Sequence, residues 1–401
     1  MSEGRLGIRR TVRTAAAGTA LLLLAAACSS SPPSGKDAAS APAGTSGASS
    51  ASQTSATQVS GTAADATTST AAKTAATSPS TPATAKTPAK TSASASATTS
   101  APHADTGATG LGGCSVAPPD SVWRARVDRL PVDAHSAAYI ASIGSTQHVH
   151  ADFGAGLWDG GPIGIPITLV PGGTPATRVT FDSTDESDKG PYPIPANAAV
   201  EGGPQASGDR HVIALDPRTC TDYELYDAQP HAGAWTAGSG AVFALRSDTL
   251  RPAGWTSADA AGLPILPGLA RFDEASAGAI DHALRITVPR SRNAYIWPAR
   301  HQASNSSDPA LPPMGLRLRL KASVDISALP PQARAVAQAL KTYGAIVADN
   351  GSAWYISGTP DDRWSNDQLQ RLGTLTGADF EAVDESGLRV SADSGAARSG
   401  G

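Results

Sequence analysis

The sequence predicts a mainly β domain, a β-sandwich or jelly roll, with a small α+β element at its C-terminal end. Three observations carry this expectation. Between residues 140 and 300 the apolar runs are short, rich in β-branched residues and broken by Gly and Pro. No long amphipathic helical pattern interrupts them, and evenly spaced short strands without helices belong to sandwiches and jelly rolls. A helical period begins only at Pro330.

In chain order, the runs 163–170, 178–181, 209–215, 223–227, 241–245, 282–288 and 294–297 each have the length of a strand. The first hairpin is the most specific. Alternation over 209–215 puts Asp209, His211, Ile213 and Leu215 on one face. Asp216-Pro217 opens the turn, and 222–227 returns; if Leu215 pairs with Asp222, Glu224 and Tyr226 join that face. A slip of one residue would send them to the other side. Pro330-Pro331 starts a helix that runs to Tyr343, with Val336 and Leu340 four apart and Gly344 as its cap. Asn350-Gly351 has the chemistry of a tight turn, so 345–349 and 353–357 are expected to pair as a hairpin. Ser365, with Gln368 three residues on, begins a second short helix over 366–372.

Composition divides the chain. Residues 1–27 carry Arg9, Arg10 and Arg13, then an apolar run from Ala15 to Ala27 that ends in small residues before Cys28, the order of a secretory signal. That run is shorter than the roughly 18 residues a spanning helix needs. With Cys directly after the small residues, the segment resembles the signal of bacterial lipoproteins, although Ala25 stands where that signal usually has Leu. The resemblance implies a lipidated Cys28 and a chain held on the outer face of the cytoplasmic membrane, each buried CH2 contributing about 0.8 kcal/mol. Residues 29–112 are almost entirely Ser, Thr, Ala, Pro and Gly, with no aromatic residue. They bury too little apolar surface to offset backbone entropy, so a disordered tether is expected.

Every aromatic residue lies at or beyond Trp123, which places one folded domain at 113–386 and a flexible Gly, Ser and Ala tail at 387–401. Of the 31 Lys and Arg, 8 precede residue 113, as do 4 of the 35 Asp and Glu, leaving 23 against 31 from residue 113 on. A net charge of −8 argues against nucleic acid as a partner. Three cysteines are present, and lipidation of Cys28 leaves Cys114 and Cys220 as a pair in an oxidising compartment, where a disulfide is expected. Closing a loop of about 100 residues would contribute about 4 to 5 kcal/mol in the chain-entropy description.

Several groups could carry chemistry. On the proposed hairpin face, Asp209, His211, Glu224 and Tyr226 offer two carboxylates, an imidazole and a phenol, the set that acid and base chemistry on sugars uses. The same face reads equally as the solvated side of an edge hairpin. His282 has apolar same-face neighbours Ile280, Leu284 and Ile286, which suits a core histidine as well as a catalytic one. His301 follows Pro298 at the start of a loop, where functional residues gather. Trp255 and Trp297 could stack on sugar rings or fill the core. His148, His150 and Asp152 alternate along one strand and are candidate ligands for a divalent metal, yet they would span about 13 Å, too far for one ion without a bulge. The acidic run 182–188 supplies oxygens for Ca2+ without the spacing of an EF-hand, and is otherwise a solvated turn. No G-x-S-x-G, HExxH, Walker or dinucleotide signature is present, so no cofactor is expected.

The segments Asp185-Glu186-Ser187-Asp188, Gly208-Asp209-Arg210-His211, Arg251-Pro252-Ala253-Gly254-Trp255, Asp281-His282-Ala283-Leu284 and Trp297-Pro298-Ala299-Arg300-His301 resemble those of an uncharacterised family of secreted, mainly actinobacterial proteins. The resemblance spans 115–384 and implies a single domain; it carries no activity with it. The expectation from the residues is a lipid-anchored surface protein that binds or cleaves an extracellular or cell-wall glycan. As a glycoside hydrolase it would use Asp209 and Glu224 as acid and base or nucleophile, oriented by His211 and Tyr226. A polysaccharide lyase would use His211 or Tyr226 as the base, with Arg210 or Arg285 steadying the charge. A non-catalytic glycan-binding or scaffold protein is the alternative, and a metal-dependent hydrolase built on His148, His150 and Asp152 a third.

Overall fold

The computed structural model describes residues 110–398. The segment 1–27 expected to be a signal, Cys28 and residues 29–109 lie outside the described residues, as do 399–401. Strand outweighs helix, 26% against 16%, so the domain is mainly β. Among the described residues no helix is long and apolar enough to cross a membrane.

The largest sheet has six strands, in spatial order His150–Asp152, Tyr355–Ser357, Leu284–Val288, Ala345–Asn350, Arg317–Leu320 and Phe380–Val383. Its central pair, Leu284–Val288 and Ala345–Asn350, runs parallel and is almost wholly buried, as a strand covered on both faces must be. Helix Pro331–Thr342 packs on Arg317–Leu320, and helix Ser136–Ile143 on Phe380–Val383. The C-terminal α+β element is therefore no small appendage; it shares one sheet with strands from residues 150 and 284 onward. The hairpin expected at Asn350-Gly351 does not form. Leu284–Val288 lies between its two arms, parallel to one and antiparallel to the other. Inserting this apolar strand satisfies both of its edges, and Gly351 crosses its end, donating its N–H to Val288 O at 2.8 Å.

The second sheet orders Ser239–Ala244, Thr221–Tyr226, Val212–Asp216 and Ile167–Leu169. Its hairpin has the register read from the sequence, with Leu215 opposite Asp222 and Ile213 opposite Glu224. The first strand starts at Val212 rather than Asp209, because Arg210 adopts a φ of 47°, outside the β region. The run 163–170 keeps only Ile167–Leu169, since Gly164 turns at a φ of 116° and Pro166 supplies no N–H. The run 294–297 contributes a single bridge, Tyr295 to Met314, before Pro298 ends pairing. Apolar clusters cover both faces of this sheet. Ile213 and Leu215 belong to the main core, whereas Val212, Ala214 and Leu225 pack with Tyr192, Ile194 and Trp235. A three-stranded sheet (Arg178–Phe181, Ala234–Ala237, Gln229–His231) and a two-stranded hairpin (Leu157–Trp158, Gly161–Pro162) complete the strands.

Cys114 and Cys220 form the expected disulfide. The tail from 387 is held in place through residue 398. Val122 donates to Gly395 O at 2.7 Å, Trp297 Nε1 to Ser394 O at 2.8 Å and Arg300 to Asp393 at 2.7 Å. Its small side chains let the backbone lie close against the 121–122 and 248–250 segments, a contact composition alone does not reveal.

Candidate functional site

A cleft of about 540 Å³ opens where the acidic loop, the end of the four-stranded sheet, the 256–260 loop and the end of strand Ala345–Asn350 meet. Asp182 and Glu186 come from the loop, Asp209, Tyr226 and Asp227 from the hairpin end, and Asp349 from the central sheet. Arg251 makes the loop a fixed wall. Its guanidinium pairs with Asp188 and donates to Glu186 O at 2.8 Å and Thr256 O at 2.8 Å, while Asp188 also accepts from Val242 N at 2.9 Å. The run 182–188 is thus an anchored structure and not a solvated turn.

His301 lines the cleft. Its Nδ1 donates to the carbonyl of Ala260 at 3.0 Å. Its Nε2 lies 4.0 Å from the Glu186 carboxylate. Tyr226 is exposed, and burial of its ring together with Asp209 and Asp227 raises its phenol, so it presents a neutral O–H at physiological pH.

Five carboxylates line the cleft, and among the described residues no Lys or Arg does. The compensating charge lies behind the wall. Arg285, fully buried, grips Asp259 through two hydrogen bonds of 2.8 and 2.9 Å, donates to Ser357 Oγ at 2.8 Å and reaches Asp349 at 3.3 Å. Burial pushes the Asp349 carboxyl up, Asp259 and Asp209 add to the effect, and Arg285 and His211 offset only part, so it titrates at about 6. Outside the cleft lining, burial and then Glu201 raise Asp152. A carboxyl that gains and loses its proton near neutrality inside a cleft is a candidate for proton transfer.

The residues named from the sequence divide into two groups. Asp209, Tyr226 and His301 converge on the cleft. His211 does not line it. Its Nδ1 donates to Glu201 at 2.6 Å and its Nε2 to Ala258 O at 3.1 Å. Burial works against the charged ring, but Glu201 outweighs it and raises His211 to about 9, so the ring is a spent donor rather than a base. Glu224 is fully buried because its hairpin face packs on the main core; its carboxylate accepts the N–H groups of Ile265 and Leu266 at 2.8 to 2.9 Å. Arg210 binds the carbonyls of Pro204, Ala206 and Ala228 and shapes its own loop. His282 is a buried histidine bonded to Ala283 O and Glu274. Trp255 lies under Arg251 and Trp297 is tied to Ser394, so neither lines the cleft. His148 bonds Gly373 O and His150 stacks on Tyr355, 4.2 Å between ring centres. Among the described residues no group of three or more His, Cys, Asp or Glu side chains is placed to hold a metal ion.

Asp349 was not singled out from the sequence. Its signal is an acid at the end of the apolar run Ala345-Ile346-Val347-Ala348, where a buried strand emerges.

Beneath the cleft, Asp222 and Glu224 are neighbours on one strand face, both fully buried. Burial and the Glu224 charge raise Asp222 well above the carboxylate range, so Asp222 keeps its proton and donates it to Glu224, whose charge the two backbone N–H groups favour. A carboxyl raised on folding stabilises below its unfolded value of about 3.9 and loses that contribution as pH climbs toward its folded value. Asp222→Asn keeps a donor without the titration. Denaturant unfolding at pH 5 and pH 9 should show the variant gaining on the wild type as pH rises; a loss of about 2 kcal/mol or more at both pH values would refute the shared proton.

Comparison of the chain with protein-family models, with curated proteins and with solved structures finds no match in any of the three.

Proposed function

We propose that this chain is a cell-surface protein, anchored by a lipid on Cys28, whose acidic cleft binds an extracellular or cell-wall glycan. The observation that carries the reading is the cleft: it has the volume of a small-ligand site, and its walls present carboxylates, a phenol, an imidazole and hydroxyls, with no Lys or Arg among the described lining residues. Carboxylates accept hydrogen bonds from sugar hydroxyls in pairs, and they favour amino sugars over acidic ones. The acid and base set expected from the sequence is revised, since His211 and Glu224 face away from any ligand. Asp209, Tyr226, His301 and Asp349 take their place.

The test is binding of the mature chain to a panel of neutral, amino and acidic oligosaccharides. Asp349→Asn and Asp209→Asn should each weaken binding by about tenfold, the loss of one charged hydrogen bond. A wild-type chain that binds none of the panel sinks the proposal.

Turnover is the second reading, and the carboxyl titrating at about 6 favours it. In a glycoside hydrolase, protonated Asp349 would donate to the glycosidic oxygen while Asp209 acts as base or nucleophile. The rate should then fall as pH rises through about 6, and Asp349→Asn should remove that limb with a far larger loss in kcat than in affinity. Binding without product release at any pH leaves the non-catalytic reading.

A further inference from the structure

We infer that Trp158 is a stacking platform for the glycan, a binding residue outside the cleft that extends the site across its rim. The inference rests on the glycan reading of the cleft. Trp158 is 79% exposed and its neighbour Leu157 70%, the two most exposed large apolar side chains among the described residues. Both sit on a hairpin with a two-residue turn, Asp159-Gly160, whose φ values of 48° and 86° are those the tightest hairpins require. The hairpin is held in place. Trp158 pairs with Gly161, and Gly161 lies so close to Gly202 that an added Cβ would fall 1.8 Å from the Gly202 oxygen. The residue before Gly202 is Glu201, which grips His211, itself in ring contact with Tyr226 of the cleft. An exposed indole is thus presented on a hairpin linked through Gly202, Glu201 and His211 to Tyr226 of the cleft.

Charge selects the occupant. Asp159 lies in the turn, and Asp152 feels the charges of Glu201, which precedes Gly202, and of Asp209, which lines the cleft. An anionic lipid surface would be repelled there, whereas the apolar face of a neutral or amino sugar stacks on an indole while its polar edge meets the carboxylates.

The experiment compares the wild-type mature chain with Trp158→Ala, Trp158→Phe and Asp349→Asn. The probes are tetramers of N-acetylglucosamine and of glucosamine, with phosphatidylglycerol vesicles as the lipid arm. The inference expects Trp158→Ala to weaken binding of a tetramer by about tenfold, Trp158→Phe to restore most of it, and the wild-type emission to shift on adding that sugar. If the wild type binds and Asp349→Asn weakens binding while Trp158→Ala stays within about twofold, the platform is refuted and the cleft stands. If the wild type binds neither sugar, both readings fall for these sugars. An emission change specific to Trp158 with vesicles and not with sugar makes it a membrane contact and overturns the inference.

Discussion

Arg285→Met should destabilise the domain by about 3 to 5 kcal/mol, the cost of leaving a buried charge without its partner. Arg285 stands in the centre of the six-stranded sheet and is, among the described residues, the only cation paired with Asp259, itself 1% exposed. Removing the guanidinium strands the Asp259 carboxylate, takes two donors from it and leaves Ser357 and Asp349 without a neighbour they share. Denaturant unfolding of the single variant, of Asp259→Asn and of the double variant separates pair from site. The double variant should recover at least half of the loss, because two neutral side chains need no compensation. A single variant within about 1 kcal/mol of wild type would mean that water reaches the pair. In any variant that stays folded, Asp349 loses the cation that holds it down, so its carboxyl should titrate above its present value of about 6.

The second large effect is a loss of stability on the alkaline side. His211 titrates at about 9 in the fold, against 6.5 ordinarily. A histidine raised on folding contributes its full stabilisation below 6.5 and loses it as pH rises through about 9. The shift corresponds to about 3 kcal/mol, an order of magnitude for a buried pair. Glu201, lowered by the same contact, reports the other half of that interaction and is not added to it; its own contribution disappears at acid pH, below the usual carboxylate value. Unfolding measured from pH 6 to pH 10 should fall by this amount, and His211→Gln should flatten the curve at a lower overall stability. An unchanged slope in the variant would assign the alkaline loss to other groups.

Much of the local structure was legible. Alternation and the Asp216-Pro217 turn set the register of the hairpin, Pro330 and Gly344 bounded a helix, and cysteine arithmetic paired Cys114 with Cys220. Which side of the hairpin meets solvent was not legible, because the partners of Glu224 are backbone N–H groups 41 and 42 residues away, and backbone groups leave no trace in side-chain patterns. The hairpin expected at Asn350-Gly351 failed for a related reason: its turn chemistry is right, but a distant apolar strand competes for the same edges. The exposed hairpin at 157–161 leaves a clear trace in the sequence. Asp159-Gly160 after Leu157-Trp158 is a strong hairpin signal, and an indole beside it at a turn is placed to be exposed. Asp349 gains its character from Asp259 and Arg285, which only the folded sheet brings together.

The strand Thr221–Tyr226 begins one residue after Cys220 and ends at the cleft with Tyr226. A pull on the chain N-terminal to Gly110, resisted by something held in the cleft, therefore passes from Cys114 through a covalent link into this one strand. The strand is hydrogen-bonded on both sides, to Val212–Asp216 and Ser239–Ala244, so the load acts along its length and strains its bonds in shear together instead of unzipping them in turn.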